Sequence, residues 1–164
     1  MKDTLIFTAT YNEIKNIEKI IKQINIYSKK SNILIIDDNS PDGTAKKIKK
    51  LKKKNKNIFL KIRKYKQGLD SAHKYAYEFA KKNRYRKLIT MDADLSHDPN
   101  EIIPMFNLLN ENDLVVGSRY KGGLRVINWP IQRLYISYFA NLYAKVITGV
   151  PVKDLTAGFK AWIY

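Results

Sequence analysis

Cysteine is absent from this chain, histidine occurs twice, and acidic side chains number 15 against 31 basic ones. Without thiols there is neither a disulfide framework nor a thiolate zinc site, and two histidines cannot form a metal cluster alone. A reducing, cytoplasmic setting fits that composition. No apolar run reaches the roughly eighteen residues of a membrane span, and Met1 to Thr4 lead directly into an apolar segment, which leaves no room for a signal peptide. The expected protein is therefore cytoplasmic, or peripheral on the inner face of the membrane. Only six of the basic residues are arginine (positions 63, 84, 86, 119, 125 and 133), and the lysine excess behind the formal charge of +16 is also what a biased genome composition produces. The densest run, Lys46 to Lys56, sets Ala45, Ile48 and Leu51 at helical spacing, so its lysines read as the solvated face of an amphipathic helix, with attraction to an anionic membrane surface as the second reading. Aromatic residues are not interleaved with the basic runs, so no nucleic acid is expected as a partner.

What the chain does have is regular alternation. Its 164 residues, 45% hydrophobic, suffice for one domain. Residues 4–8 read as a strand, followed by a helix carrying Ile14, Ile17, Ile20, Ile21 and Ile24 on one face. Residues 32–37 are almost uninterruptedly apolar, as a parallel strand covered on both faces must be. The lysine-rich helix, a strand at 58–62, a helix through Ala72, Tyr75, Ala76, Phe79 and Ala80, and a strand at 87–91 come next. Pro99 opens a helix with Ile102, Ile103, Phe106 and Leu109; residues 113–116 form another strand, and Pro130 starts a last helix. The fold class is α/β, an open, mostly parallel sheet with helices on both faces.

In such sheets ligands bind beyond the carboxyl ends of the strands. The polar clusters fall there: Thr10 to Glu13, Asp37 to Thr44, Asp92 to Asp94, and Gly117 to Tyr120. Asn12 could alternatively cap the first helix, and residues 39–43 are good turn chemistry. The most informative pair is Asp92 and Asp94. Two residues apart at a strand tip, they point the same way and offer hard oxygens to Mg²⁺ or Mn²⁺ held jointly with a diphosphate. His97 reads as a loop residue and Asp98, before Pro99, as a helix N-cap.

These stretches carry a resemblance. TATYNE (Thr8–Glu13), IDDNSPDGT (Ile36–Thr44), MDADLSH (Met91–His97), GSRYKGG (Gly117–Gly123), NWP (Asn128–Pro130) and DLTAGF (Asp154–Phe159) together resemble the motifs of family 2 glycosyltransferases of GT-A fold, most closely those acting as polyprenol-phosphate mannose synthases. The resemblance runs from about residue 4 to the end. It implies that Ala9, Tyr11, Glu13, Ile36 and Asp38 hold the guanine nucleotide, that Asp92, Ala93 and Asp94 hold ribose, diphosphate and metal with Ser96 as a third metal contact, and that Arg119 faces the phosphates. Ala9 stands where the family usually has proline, Asp70 where it often has glycine, and Ser96 where it often has a longer glutamine. Relatives also continue beyond position 164.

Arg133 and Ser137 are i, i+4 near the start of the last helix, where a guanidinium, a hydroxyl and free backbone N–H groups make an anion site; the resemblance assigns it to the acceptor lipid phosphate. The stripe Tyr135, Tyr138, Phe139 and Tyr143 reads as core, and if exposed would suit a bilayer interface. The expected reaction is inverting transfer of mannose from GDP-mannose to a polyprenyl monophosphate, with Asp92, Asp94 and Arg119 stabilising the leaving diphosphate and no side chain acting as general base. A UDP-sugar donor and a non-catalytic nucleotide- or membrane-binding remnant are the alternatives.

Overall fold

The computed structural model of the chain describes residues 3–119 and 131–163, with residues 133 and 134 described by their backbone only. Six strands, β1 (Thr4–Thr10), β2 (Asn32–Asp37), β3 (Ile58–Ile62), β4 (Lys87–Thr90), β5 (Leu114–Val116) and β6 (Lys160–Ile163), form one sheet in the order β3-β2-β1-β4-β6-β5. The pairs β1–β2, β2–β3 and β1–β4 are parallel, whereas β6 runs antiparallel to both β4 and β5. The sheet is thus mostly parallel, as expected, with one reversed strand that the alternation of elements did not announce. Reversal has a consequence for the site: the start of β6, not its end, lies at the sheet edge where the other strands finish.

Among the described residues five helices, α1 (Ile17–Tyr27), α2 (Thr44–Lys54), α3 (Leu69–Lys82), α4 (Ile102–Leu108) and α5 (Ile131–Thr148), accompany the sheet. Successive strand residues point to opposite faces, and both faces are covered. Ile6, Ile33, Ile35 and Ile89 pack with the isoleucines of α1, with Ile48 of α2 and with Ile102, Met105 and Phe106 of α4. Leu5, Phe7, Leu34, Ile36 and Leu88 pack on the other side against Ala72, Ala76 and Ala80 of α3, an i, i+4 stripe small enough to bring that helix close to the strands. Asp70 sits in the first turn of α3, where a negative charge complements the helix dipole.

Several expectations are corrected. The first helix begins at Ile17, not Ile14, and Asn12 does not cap it; Asn16 holds the cap position. The reason is a competing use of backbone donors: the amides of Glu13 and Ile14 donate to Thr44 Oγ1 and Asp42 Oδ2, at 2.9 and 3.0 Å, which keeps them out of the helix. Strand β4 ends at Thr90, so Asp92 and Asp94 lie on a loop, and strand alternation is not what orients them. Pro99 opens a 3₁₀ turn, Pro99–Glu101, before α4, with Asp98 capping it by accepting from the Asn100 amide at 2.9 Å.

The aromatic stripe of α5 is not core. Tyr135, Tyr138, Phe139 and Tyr143 are all more than half exposed, as are Ile136, Val146 and Ile147 on the same helix. Asn141 is the buried exception: its Nδ2 donates to the Lys153 carbonyl and its Oδ1 accepts from the Leu155 amide, both at 2.8 Å. A single amide thus ties the middle of α5 to the segment leading into β6. Among the described residues, no helix is long and apolar enough to cross a membrane.

Candidate active site

The loops after β1 and β2 are latched to one another. Asp37, fully buried, accepts from Thr10 Oγ1 at 2.8 Å, from the Ser40 amide at 2.9 Å and from Ser40 Oγ at 2.6 Å. Asp42 accepts from Thr44 Oγ1 and the Thr44 amide as well as from Ile14. Burial pushes the Asp42 carboxyl up, but those donors outweigh it and hold it below the ordinary value. The Asn12 amide reaches Ser40 Oγ at 3.0 Å, and both Asn12 and Asn39 adopt left-handed backbone (φ 64° and 56°), a conformation asparagine tolerates.

Asp38 turns away from these contacts. It is buried and ion-paired with Arg63 Nε, while Arg63 also donates to Ser71 Oγ and, at 3.0 Å, to the Gly68 carbonyl. The Gln67 amide donates to Asp38 Oδ2 at 3.3 Å. Arg63, which sequence reasoning did not single out, therefore clamps the end of β2 to the start of α3. Of the other residues expected at the nucleotide, Tyr11 is exposed with Lys66 Nζ 4.3 Å above its ring, and Glu13 is half-buried, its Oε2 accepting from Asn16 Nδ2 at 2.9 Å. Ala9 is half-buried, and Ile36 is a core side chain facing α3.

The loop after β4 closes on itself. The Asp92 amide donates to His97 Nδ1 at 2.9 Å, and the Ser96 amide donates to Asp94 Oδ1 at 2.9 Å. Between them Leu95 holds φ 66°, a left-handed geometry that costs a γ-branched residue roughly 1 kcal/mol or more. Its side chain packs against the larger core cluster, which helps retain it. Ala93 is buried, while Asp92 is half-exposed and Asp94 and Ser96 are exposed. For Asp94, burial raises the carboxyl pKa, but the Ser96 hydrogen bonds and the nearby His97 prevail, so it lies below the ordinary value and is ionised at neutral pH. Asp92 and Asp94 thus fit a hard divalent cation as donors. Among the described residues no three histidine, cysteine or acidic side chains gather as a metal cage, so further ligands would have to be phosphate oxygens or water.

The reversed strand supplies the rest. Arg119, beyond β5, makes a bidentate pair with Asp154, Nε–Oδ2 at 2.8 Å and Nη2–Oδ1 at 2.7 Å, and its own amide donates to the same carboxylate at 3.0 Å. Nη2 also donates to Thr156 Oγ1. Asp154 has no exposed surface; burial raises its pKa, but the Arg119 hydrogen bonds and charge bring it below the ordinary value. Four residues on, the Gly158 carbonyl accepts from Thr90 Oγ1 at 2.8 Å, and the Phe159 ring stacks on His97, centroids 5.0 Å apart and planes 13° from parallel. Backbone packing here is close: a Cβ on Gly117 would meet Phe159 Cδ1 at 2.9 Å.

His97 is the point where expected site residues converge. Burial depresses its pKa most, Asp92 and then Asp94 act to raise it, and Arg119 lowers it further. The imidazole thus feels the charges of Asp92, Asp94 and Arg119, and it makes its direct contacts with Asp92. Of the expected acceptor pair, Ser137 is half-buried on α5, and the side chain of Arg133 lies outside the described residues, as does Pro130. Arg63, His97 and Asp154 are the residues whose roles a sequence reading passed over; His97 and Asp154 stood within motifs, whereas Arg63 is a single residue whose partner, Asp38, is remote in sequence.

Comparison with known proteins decides the family. The model of glycosyl transferase family 2 matches residues 5–161. The chain belongs to this family. As a family 2 member it is 35% identical over 161 residues to the polyprenol monophosphomannose synthase of Mycolicibacterium smegmatis, covering 97% of this chain and 61% of that protein. It is 32% identical over 158 residues to the undecaprenyl-phosphate mannosyltransferase of Micrococcus luteus, covering 96% and 65%. The chain therefore spans less than two thirds of the length of these relatives. In structure it resembles the glucosyl-3-phosphoglycerate synthase of Mycobacterium tuberculosis, solved with Mn²⁺, UDP and phosphoglyceric acid (TM-score 0.64, 18% identity, 98% of this chain and 55% of that one). It also resembles a mannosyltransferase of Pyrobaculum calidifontis solved with GDP-mannose and Mn²⁺ (TM-score 0.61, 20% identity, 70% of this chain and 34% of that one). The sheet and its covering helices are the GT-A arrangement.

Proposed function

We propose that this family 2 domain transfers mannose, with inversion, from GDP-mannose to a polyprenyl monophosphate, assisted by Mg²⁺ or Mn²⁺. The observation that carries the reading is the pairing of a surface loop bearing Asp92 and the exposed, ionised Asp94 with a buttressed Arg119 at the edge where the strands end. The names of the relatives point to mannose and to polyprenyl phosphates.

In this reading Tyr11 and the latched loops after β1 and β2 flank the nucleoside, and Asp92 and Asp94 hold the metal ion. A bound divalent cation would offset the negative charge growing on the departing diphosphate. Asp154 presents the Arg119 guanidinium in a fixed orientation, so its positive charge is in place before the bond breaks. No described side chain is required to remove a proton from the acceptor, because a phosphate monoester, with a second pKa of about 6, is already ionised at neutral pH. Arg133 and Ser137 are the expected cradle for that phosphate.

The test is transfer from labelled GDP-mannose, with UDP-sugars alongside, to polyprenyl phosphate, free polyprenol and simple sugars. Mannosylated lipid phosphate formed only with a divalent cation is the expected result. Transfer to the alcohol or sugars at the same rate overturns the acceptor assignment, preference for a UDP-sugar overturns the donor, and GDP binding without any turnover leaves a binding domain. Association with anionic vesicles that weakens as salt rises is the expected behaviour of a basic peripheral protein.

A further inference from the structure

The one histidine of the loop after β4, His97, has a geometry that the reaction outlined above does not use. His97 is only 17% exposed at its side chain, yet it follows the exposed Ser96 and precedes the exposed Asp98. One ring nitrogen accepts the Asp92 amide, so Nδ1 carries no proton and a neutral ring carries its proton on Nε2. That Nε2 lies 3.7 Å from Asp92 Oδ2. One face of the ring rests on Phe159, and a Cβ placed on Gly158 would come within 3.3 Å of His97 Cε1 and within 3.4 Å of Asp92 Oδ2. The imidazole therefore touches the backbone of Asp92 through one nitrogen, faces its carboxylate with the other, and is backed by the residues that lead into β6.

We propose that His97 is a positioning residue for the metal-binding loop: it closes residues 92–97 into a ring and sets the direction of the Asp92 carboxylate, with Phe159 as the wall against which it is held. The inference rests on Asp92 and Asp94 binding a metal ion. Without the bond to Nδ1, the Asp92 amide loses its partner and the loop keeps only the Ser96–Asp94 contact within itself. Partners that orient metal-binding side chains are typically worth about 10- to 100-fold in metal affinity.

The measurement is Mn²⁺ binding in the presence of saturating GDP, followed by the electron paramagnetic resonance signal of free Mn²⁺, for the wild type, His97→Phe and His97→Asn. Phenylalanine keeps a ring against Phe159 but removes both nitrogens; the asparagine carboxamide oxygen can take the place of Nδ1. His97→Phe should bind Mn²⁺ about 10- to 100-fold more weakly, and His97→Asn should recover most of that loss. In transfer assays the Mn²⁺ concentration for half-maximal rate should rise by the same factor in His97→Phe, while the rate at saturating Mn²⁺ returns to within about threefold of wild type. A general loss of structure would instead lower the rate at every Mn²⁺ concentration. If His97→Phe does not fold, His97→Gln, whose acceptor sits one bond farther out, is compared with His97→Asn, and equal affinities overturn the proposal. Equal Mn²⁺ affinity in wild type and His97→Phe overturns it while leaving the metal site standing. A wild type that takes up no Mn²⁺ with GDP overturns the metal reading itself, and the positioning role with it.

Discussion

Two acidic clusters stand at the same edge of one sheet and have opposite fates. Asp37, Asp38 and Asp42, at and after the end of β2, are turned inward: Asp37 and Asp42 accept from hydroxyls and amides of their own loop and of the β1 side, and Asp38 is paired with Arg63. Asp92 and Asp94, after β4, share one side-chain contact each with their loop and keep substantial surface. The difference teaches that a carboxylate motif is not a ligand site until its hydrogen bonds have been counted. The first cluster holds the loops after β1 and β2 together, and the second keeps carboxylate surface open to solvent.

Removing groups from each cluster in turn tests that contrast. Arg63→Ala should have the largest effect on stability, since it leaves Asp38 buried without its cation, a situation that costs about 3–5 kcal/mol; denaturant unfolding checks this, and a loss under 1 kcal/mol would mean that water reaches Asp38. Asp154→Asn should cost about 2 kcal/mol by weakening the charged pair with Arg119. Its pH dependence has a definite sign. The folded-state pKa of Asp154 is lowered, so the stability it contributes is present above the usual carboxylate value of 3.8 and is lost as pH falls through the lower folded value. Acid unfolding should therefore separate wild type from Asp154→Asn above that value and bring them together below it. Asp37→Asn should cost about 1–2 kcal/mol, because an amide cannot accept from all three of its donors at once. Asp94→Asn should be the mildest, within about 0.5 kcal/mol, yet it should abolish the extra melting-temperature rise that GDP gives with Mn²⁺ over EDTA. A metal-dependent shift that survives in Asp94→Asn would reverse the assignment of the two clusters.

Most of the frame was legible in the sequence. The continuous apolar run of β2 and the isoleucine spacing of α1 and α2 report directly on burial, because both faces of that part of the sheet are covered. The convergence of polar clusters at the strand ends followed from parallel topology alone. Illegible were features set by partners far apart in the chain. Lys160–Ile163 is a short strand inserted between β4 and β5, with no periodicity to mark its direction. His97 is placed by Phe159, and Arg119 by Asp154. The aromatic spacing of α5 resembles a core stripe, yet its rings are exposed and the helix is tied through Asn141. Spacing reports which residues share a helix face; it does not report whether anything lies opposite that face.

The reversed strand also bears on how the molecule is assembled. β5 joins the sheet through β6, and β6 lies between β4 and β5 although it is last of the six in chain order. During synthesis β1 to β4 can pair as they emerge, but β5 has no neighbour to pair with until some forty further residues have been made. Such distant pairings raise contact order and slow folding. The loop carrying Asp92 and Asp94 and the Arg119 guanidinium thus acquire their supports, Phe159 and Asp154, in the same late step, so a nascent chain can latch the loops after β1 and β2 before it can brace either of them.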